Sequence, residues 1–63
     1  MSRKTRVAVY VGKYGQYEIY QYDTMFLREY HIYKNGERWE TAGKHMDTVV
    51  KRILKYDPTA KPV

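Results

Sequence analysis

The sequence predicts an α+β fold, in which an antiparallel sheet of three to four strands carries one C-terminal helix packed on one face (β-β-β-β-α). Three observations lead to this fold class. Apolar and polar residues alternate through most of the first half, Asn35-Gly36 follows, and apolar residues then recur at three- and four-residue spacing. The first pattern is typical of half-buried strands, the second of a tight hairpin and the third of an amphipathic helix.

Period-two alternation predicts the first two strands. Residues 5–12 carry valine at every second position: Val7, Val9 and Val11. The intervening positions, assigned to the opposite face, are Arg6, Ala8 and Tyr10. A glycine-containing turn at residues 13–16 follows, after which Tyr17 and Ile19 continue the valine face. The other face of this second strand carries Glu18, Tyr20 and Tyr22. A slip of one residue would exchange the two faces, so both assignments stay open at this point.

A third strand and a short fourth strand are predicted on either side of Asn35-Gly36, because both residues of this pair tolerate the positive φ that a two-residue turn requires. Residues 26–34 place Tyr30 and Ile32 on one face, and the opposite face carries Glu29, His31 and Tyr33. The chain then returns antiparallel over residues 37–40, which include Trp39. Adjacent Phe26 and Leu27 break the alternation, which predicts a bulge or a strand entry there.

The last element is predicted as a helix from apolar residues at helical spacing: Ala42, Met46, Val49, Val50, Ile53 and Leu54. Thr41 or Gly43 is the expected N-cap residue. Pro58 ends the helix. We expect residues 1–4 to form a flexible basic arm, residues 5–57 a single α+β domain and residues 58–63 a frayed C-terminal tail. The predicted core contains Val9, Ile19, Ile32, Val50 and Ile53.

Composition narrows the class of protein. With 43% hydrophobic and 30% charged residues, the 63-residue chain is typical of a soluble globular domain rather than a disordered segment. It has no cysteine, which excludes a disulfide framework and a cysteine-based zinc site. No apolar run approaches the roughly 20 residues of a membrane span, and the first residues lack the apolar stretch of a secretory signal. A cytoplasmic protein without membrane contact is therefore expected.

Catalytic and cofactor-binding patterns are missing from the sequence. The only serine is Ser2, close to the N-terminus, and there is no cysteine nucleophile. His31 and His45 lie on different predicted elements without metal-ligand spacing. The glycines at turns form no phosphate-binding loop. We therefore expect a non-enzymatic binding protein that needs no cofactor and no metal.

Eight tyrosines among 63 residues are the most unusual feature of the composition. Four of them fall on the sheet face opposite the predicted helix: Tyr10, Tyr20, Tyr22 and Tyr33. They form a candidate partner-binding face, since tyrosine gives a large contact area at low entropy cost. The alternative interpretation is cross-strand aromatic pairing that stiffens a small sheet, each pair contributing about 0.2–1 kcal/mol.

The net charge of +5 is unevenly distributed, because the middle strands are slightly acidic while the N-terminal arm and the helix are basic. Six cations are the candidate nucleic-acid-binding residues: Arg3, Lys4, Arg6, Lys51, Arg52 and Lys55. Exposed rings beside such cations can stack bases while the cations contact phosphates. The alternative for the helix residues is a solvated face whose cations favour the negative end of the helix dipole.

Residues 16–56 resemble the three-stranded-sheet-plus-helix DNA-binding domains of some phage and transposon integrases. The resemblance rests on strand order, the Asn35-Gly36 hairpin and the closing helix, and it implies DNA recognition through the sheet.

Two functional hypotheses follow from the sequence. In the first, the chain is a small DNA- or RNA-binding protein, for example an accessory factor or regulator of a phage or mobile element. In the second, it is a protein-binding module or a phage-type inhibitor that presents its tyrosine-rich face to a larger host protein. An exposed edge strand can also pair with a second copy, so a homodimer is a further expected partner.

Overall fold

The computed structural model describes residues 3–63, apart from the side chains of residue 3 and residues 40–42. In chain order the elements are β1 (Arg3–Gly12), β2 (Gly15–Asp23), β3 (Arg28–Lys34), β4 (Glu37–Gly43), α1 (Met46–Tyr56) and β5 (Lys61–Pro62). The strands form one sheet in the order β4-β3-β2-β1-β5, and every pairing is antiparallel. The predicted α+β class with a C-terminal helix is confirmed. The fifth, two-residue strand was not predicted.

Two tight turns lie at the same end of the sheet and are joined to each other. Asn35 and Gly36 connect β3 to β4 with φ angles of 52° and 86°, which confirms the predicted Asn-Gly hairpin. The backbone N–H of Asn35 donates to the carbonyl of Gln16 at 2.9 Å, and the Asn35 side chain accepts from the Gln16 N–H at 3.0 Å. Because Gln16 lies at the start of β2, close to the β1–β2 turn, these bonds fix the two turns side by side.

A bulge at Val7 reverses the predicted faces of β1. Arg6 lies opposite Tyr20 and Ala8 lies opposite Ile19, so Val7 has no partner in the register. Beyond the bulge, Ala8 and Tyr10 share the helix side of the sheet and pack against the core. The prediction of a buried valine face, including Val9, was therefore wrong, as was the placement of Tyr10 on the open face. One extra residue in a strand shifts the alternation by one position, and the chain itself gives no periodicity that marks it.

The core lies between the sheet and α1. Its fully buried apolar side chains are Tyr17, Ile19, Ile32, Val49 and Ile53. The predicted burial of Ile19, Ile32 and Ile53 is confirmed. Val50 is half-buried and packs at the edge of this cluster, while its neighbour Val49 occupies the centre. The helix is therefore rotated slightly from the predicted orientation.

The start of the helix differs from the prediction, while its end directly before Asp57 and Pro58 agrees with it. β4 continues to Gly43, and α1 begins at Met46 with His45 as the N-cap residue, so neither Thr41 nor Gly43 caps the helix. Backbone pairing of Thr41 with His31 and of Gly43 with Tyr30 extends the strand over this segment.

The chain termini also differ from the prediction within the described residues. Past the helix, Lys61 and Pro62 pair with Val11 and Tyr10, and Ala60 is only 5% exposed. The tail is thus an edge strand and not a frayed end. Of the predicted flexible arm, Arg3 and Lys4 belong to β1, while Met1 and Ser2 lie outside the described residues. The part of the chain that is described contains no helix both long and apolar enough to cross a membrane.

Candidate nucleic-acid interface

The structure separates the predicted cationic residues into two groups. Lys4 and Arg6 lie in β1 opposite Tyr22 and Tyr20, on the open face of the sheet. Arg52 and Lys55 lie in the last turns of α1, on the other side of the sheet. Lys51 is exposed on α1, and the side chain of Arg3 is not described. The six residues therefore do not form one continuous patch.

On the open face, the tyrosine rings are engaged with one another and with their neighbours. Tyr20 and Tyr33 make an edge contact with ring centroids 5.1 Å apart, and Tyr22 stacks on His31 at 5.4 Å with an interplanar angle of 9°. The Lys4 ammonium lies 4.6 Å from the Tyr20 ring and 4.1 Å from the Tyr33 ring. All three tyrosines are half-buried. This arrangement is the cross-strand aromatic pairing that the sequence offered as the alternative interpretation.

The cations of the open face are also paired. Lys4 donates a 2.7 Å hydrogen bond to the Tyr33 hydroxyl. Arg6 forms a 2.9 Å salt bridge with Glu18, and the hydrogen bond and charge of this carboxylate raise the pKa of Arg6. This face therefore offers a phosphate group less unpaired positive charge than the sequence suggested.

A second group of aromatic rings lies beside the two joined turns, on the helix side of the sheet. Tyr56, the last residue of α1, packs against Trp39 of β4 at 4.9 Å and against Tyr14 of the β1–β2 turn at 5.6 Å. Buried Tyr17 supports the rings from below, 5.8 Å from Trp39 and 6.3 Å from Tyr56. Tyr56 and Tyr14 are 47% and 50% exposed, so both can contact a ligand.

These rings border a groove with a basic rim. The groove has a volume of about 290 Å³ and is lined by Trp39, Arg52, Lys55 and Tyr56. A second hollow of about 390 Å³ adjoins it at Trp39 and adds Lys34, Glu37 and Arg38. Lys34 also lies 5.4 Å from the Tyr56 ring centroid, and Lys13 lies 5.0 Å from that of Tyr14. We call this region the aromatic groove; its rings are Tyr14, Trp39 and Tyr56, and its cations are Lys13, Lys34, Arg38, Arg52 and Lys55.

The buried carboxylate of Asp57 positions the groove from beneath. It accepts hydrogen bonds from the Tyr17 hydroxyl at 3.0 Å, the Tyr14 N–H at 3.1 Å, and both the N–H and the hydroxyl of Thr59 at 3.0 and 2.5 Å. Gly12 leaves room for this group, because a Cβ there would lie 2.2 Å from Asp57 Oδ2. The tail, the helix end and the β1–β2 turn are thus held at one point.

Burial and these hydrogen bonds together shift the pKa values of Asp57 and Tyr17 in opposite directions. Burial opposes ionisation of Asp57, but the bonds from Thr59, Tyr14 and Tyr17 outweigh it and hold the pKa of Asp57 below its ordinary value. Burial, reinforced by the hydrogen bond to Asp57, raises the pKa of Tyr17 to about 12. Asp57 is therefore ionised and Tyr17 neutral at physiological pH, which keeps their hydrogen bond intact.

Sequence reasoning named Arg52 and Lys55 as candidates but did not name the rings that lie beside them in the structure. Trp39, Tyr14 and Tyr56 lie on three different elements, and only the joined turns and the packing of α1 bring them together. The available indication was local: in each of Lys13-Tyr14 and Lys55-Tyr56 a lysine directly precedes an exposed tyrosine. No grouping of three or more histidine, aspartate or glutamate side chains suited to a metal ion occurs in the described part of the chain.

Comparison with known proteins gave no match to a family model, to a curated protein or to a solved structure. The functional interpretation therefore rests on the residues of the groove and on their geometry.

Proposed function

We propose that this protein binds single-stranded nucleic acid through the aromatic groove. The observation that carries the proposal is the combination of three partly exposed rings with five surrounding cations. Among the described lining residues, Glu37 is the one that carries a carboxylate. Single-strand binding sites combine these two components, since rings stack bases while cations neutralise phosphates. Nucleic-acid binding was one of the two hypotheses from the sequence, and the rings and cations of the groove support it.

The dimensions of the groove suit a single planar ring. The hollow between Trp39 and Tyr56 has a volume of about 290 Å³, at the lower limit of small-molecule sites, which span roughly 300–1,000 Å³. A base inserted beside Trp39 and Tyr56 gains about 1–3 kcal/mol from stacking. Arg52 and Lys55 then lie at the rim, where the phosphates on either side of that base pass. A duplex keeps its bases stacked inside, so the groove favours an unpaired strand.

Titration with an oligothymidylate tests the proposal, because Trp39 is the only tryptophan of the chain and reports directly on the groove. We expect its fluorescence to be quenched on binding. Replacing two of the five groove cations, Arg52→Gln and Lys55→Gln, should weaken binding and flatten the log–log salt slope by about 1.4, since each phosphate contact to a single strand contributes about 0.7.

A matched control keeps the change in net charge but leaves the groove intact. Lys44→Gln with Lys51→Gln removes two exposed cations that do not line the groove, so affinity should fall much less. If both double variants lost the same affinity, the loss would come from the change in net charge and not from the groove. If Trp39 fluorescence were not quenched at about 50 mM salt, the proposal would be rejected.

Binding of a larger protein through the tyrosine-rich face remains the second candidate function. The double variant Tyr20→Ser with Tyr33→Ser alters the open face and leaves the groove unchanged, so in the same titration it distinguishes a nucleic-acid contact at the groove from one at the sheet. Oligothymidylate affinity should survive this change. Its loss in a folded double variant would move the nucleic-acid contact to the sheet.

A further inference from the structure

The loop between β2 and β3 presents apolar side chains to solvent. Met25 and Phe26 are 82% and 89% exposed, and the adjacent Leu27 is 41% exposed. We call these three residues the apolar tip. Such exposure at one point is unusual for a monomer and marks a contact surface when polar residues surround it.

Hydrogen bonds hold the apolar tip in a defined shape. The Thr24 hydroxyl accepts from the N–H groups of Phe26 and Leu27, at 3.3 and 3.0 Å, and the Thr24 N–H donates to the Leu27 carbonyl at 2.8 Å. At its base, Arg28 and Asp23 form a 2.8 Å salt bridge. The Phe26 ring is therefore presented on a short, braced loop, with Thr24 and the Asp23–Arg28 ion pair beside it.

The apolar tip and the aromatic groove lie at opposite ends of the molecule. β2 begins at Gly15, next to the groove, and ends at Asp23, next to the tip. A strand of this length spans roughly 30 Å at about 3.3 Å per residue, and the longest dimension of the molecule is 36 Å. The tip therefore cannot reach the groove of its own chain.

We propose that Phe26 of one copy inserts into the aromatic groove of a second copy, giving a head-to-tail association that competes with nucleic acid for the groove. Only the competition rests on the proposed function; the association itself does not. A groove that suits a single ring accepts a phenylalanine side chain as readily as a base.

The charges at the two ends suit the insertion of an uncharged ring into the groove. Asp23 and Arg28 at the base of the tip neutralise each other in an ion pair. At the groove, Arg52 and Lys55 can approach the face of the incoming Phe26 ring, where cations are attracted to the ring electrons. The three tip residues are also uncharged, so their insertion brings no further positive charge close to the five cations of the groove.

The contact is heterologous, since each copy uses its tip at one end and its groove at the other. It is also small, below the roughly 1,200 Å² of stable interfaces, so the association is transient. It should therefore be measured at about 1 mM protein, where complexes with a Kd in that range are populated.

The experiment follows the Trp39 indole N–H resonance of ¹⁵N-labelled Phe26→Ser protein, which has a groove but no ring at the tip. Adding unlabelled wild-type protein should shift this resonance in a saturable way. Unlabelled Phe26→Ser protein should leave it unchanged. Unlabelled Val63→Ser protein, in which another exposed apolar residue (88% exposed) is removed, should behave as the wild type does.

The inference would be overturned by no shift of Trp39 with wild-type protein, or by an equal shift with unlabelled Phe26→Ser protein. Shifts confined to residues outside the groove would overturn it too. Oligothymidylate added to the mixture with wild-type protein should displace the tip. The Trp39 resonance should then move to the position that it has when nucleotide is bound. If the oligonucleotide leaves Trp39 unchanged while wild-type protein shifts it, the proposed function fails and the self-association stands.

Discussion

Asp57 is the residue on which the groove depends most directly. It is fully buried, and its donors come from the β1–β2 turn, from β2 and from the segment before β5. A buried carboxylate that loses its charge also loses the strength of these bonds, because hydrogen bonds to ionised acceptors are about twice as strong as neutral ones. The geometry of the groove is therefore linked to the protonation of one side chain.

This linkage predicts a loss of stability in acid. The pKa of Asp57 lies below its ordinary value in the folded protein, so between that pKa and about 4 the unfolded chain binds more protons. The free energy of unfolding should rise with pH across this window and fall as the solution is acidified through it. Urea denaturation from pH 2 to 6 measures the effect. Asp57→Asn should be less stable than wild type at pH 6 and should show a smaller pH dependence; an unchanged dependence would contradict the linkage.

Gly12 provides a second test at the same point. A methyl group there would lie 2.2 Å from Asp57 Oδ2 and 3.0 Å from the Ala60 Cα, so Gly12→Ala should destabilise by about 1–3 kcal/mol. Chemical denaturation gives the value. In an Asp57→Ala background the closest contact is absent, and the same substitution should cost less. Equal costs in both backgrounds would show that the clash lies elsewhere.

At the scale of the elements, α1 stabilises the sheet through one face. Ile53 is fully buried and Leu54, its neighbour in the chain, is 37% exposed. Replacing either residue by alanine removes the same number of side-chain carbons. The difference between the two losses of stability therefore reports on the burial of the side chain. Helix propensity changes little between the two.

Ile53→Ala should therefore lower the free energy of unfolding by about 2–5 kcal/mol, which is enough to unfold a domain of this size. Leu54→Ala should cost far less. The comparison uses thermal or urea denaturation of both variants. Similar losses would mean that α1 packs in a different rotation.

The elements also show where sequence reasoning succeeds. Alternation, the Asn35-Gly36 pair and the change to helical spacing each depend on a few neighbouring residues, and the strands, hairpin and helix that they predict are present. The start of the helix was wrong because Ala42 fits a helical period, yet pairing with β3 keeps its segment in β4. The faces of β1 were wrong because the bulge at Val7 is decided by packing and not by the local pattern.

At the scale of the whole molecule, the two ends differ in chemistry. The end with the joined turns carries rings and cations, while the opposite end carries the exposed apolar tip. Neither feature could be predicted from the sequence. The groove combines residues from β4, α1 and a turn, and the burial of a tip residue such as Phe26 depends on what packs over the loop. Candidate sites that depend on a single element, such as the helix cations, were within reach of sequence reasoning.

The bonds to Asp57 also have a consequence for the order in which the chain folds. The three hairpins of β1 to β4 join segments that are adjacent in the chain, so their closure costs little entropy. Asp57, by contrast, meets Tyr14 and Tyr17 across sequence separations of 43 and 40 residues, and β5 pairs with β1 near the other end of the chain. We therefore expect the sheet to form first and the groove to be completed only when the last residues dock. When the last residues open, the groove comes apart while the hairpins persist. A nucleotide bound in the groove would oppose this opening. It would therefore slow amide exchange at both Tyr14 and Thr59, although these residues are far apart in the chain.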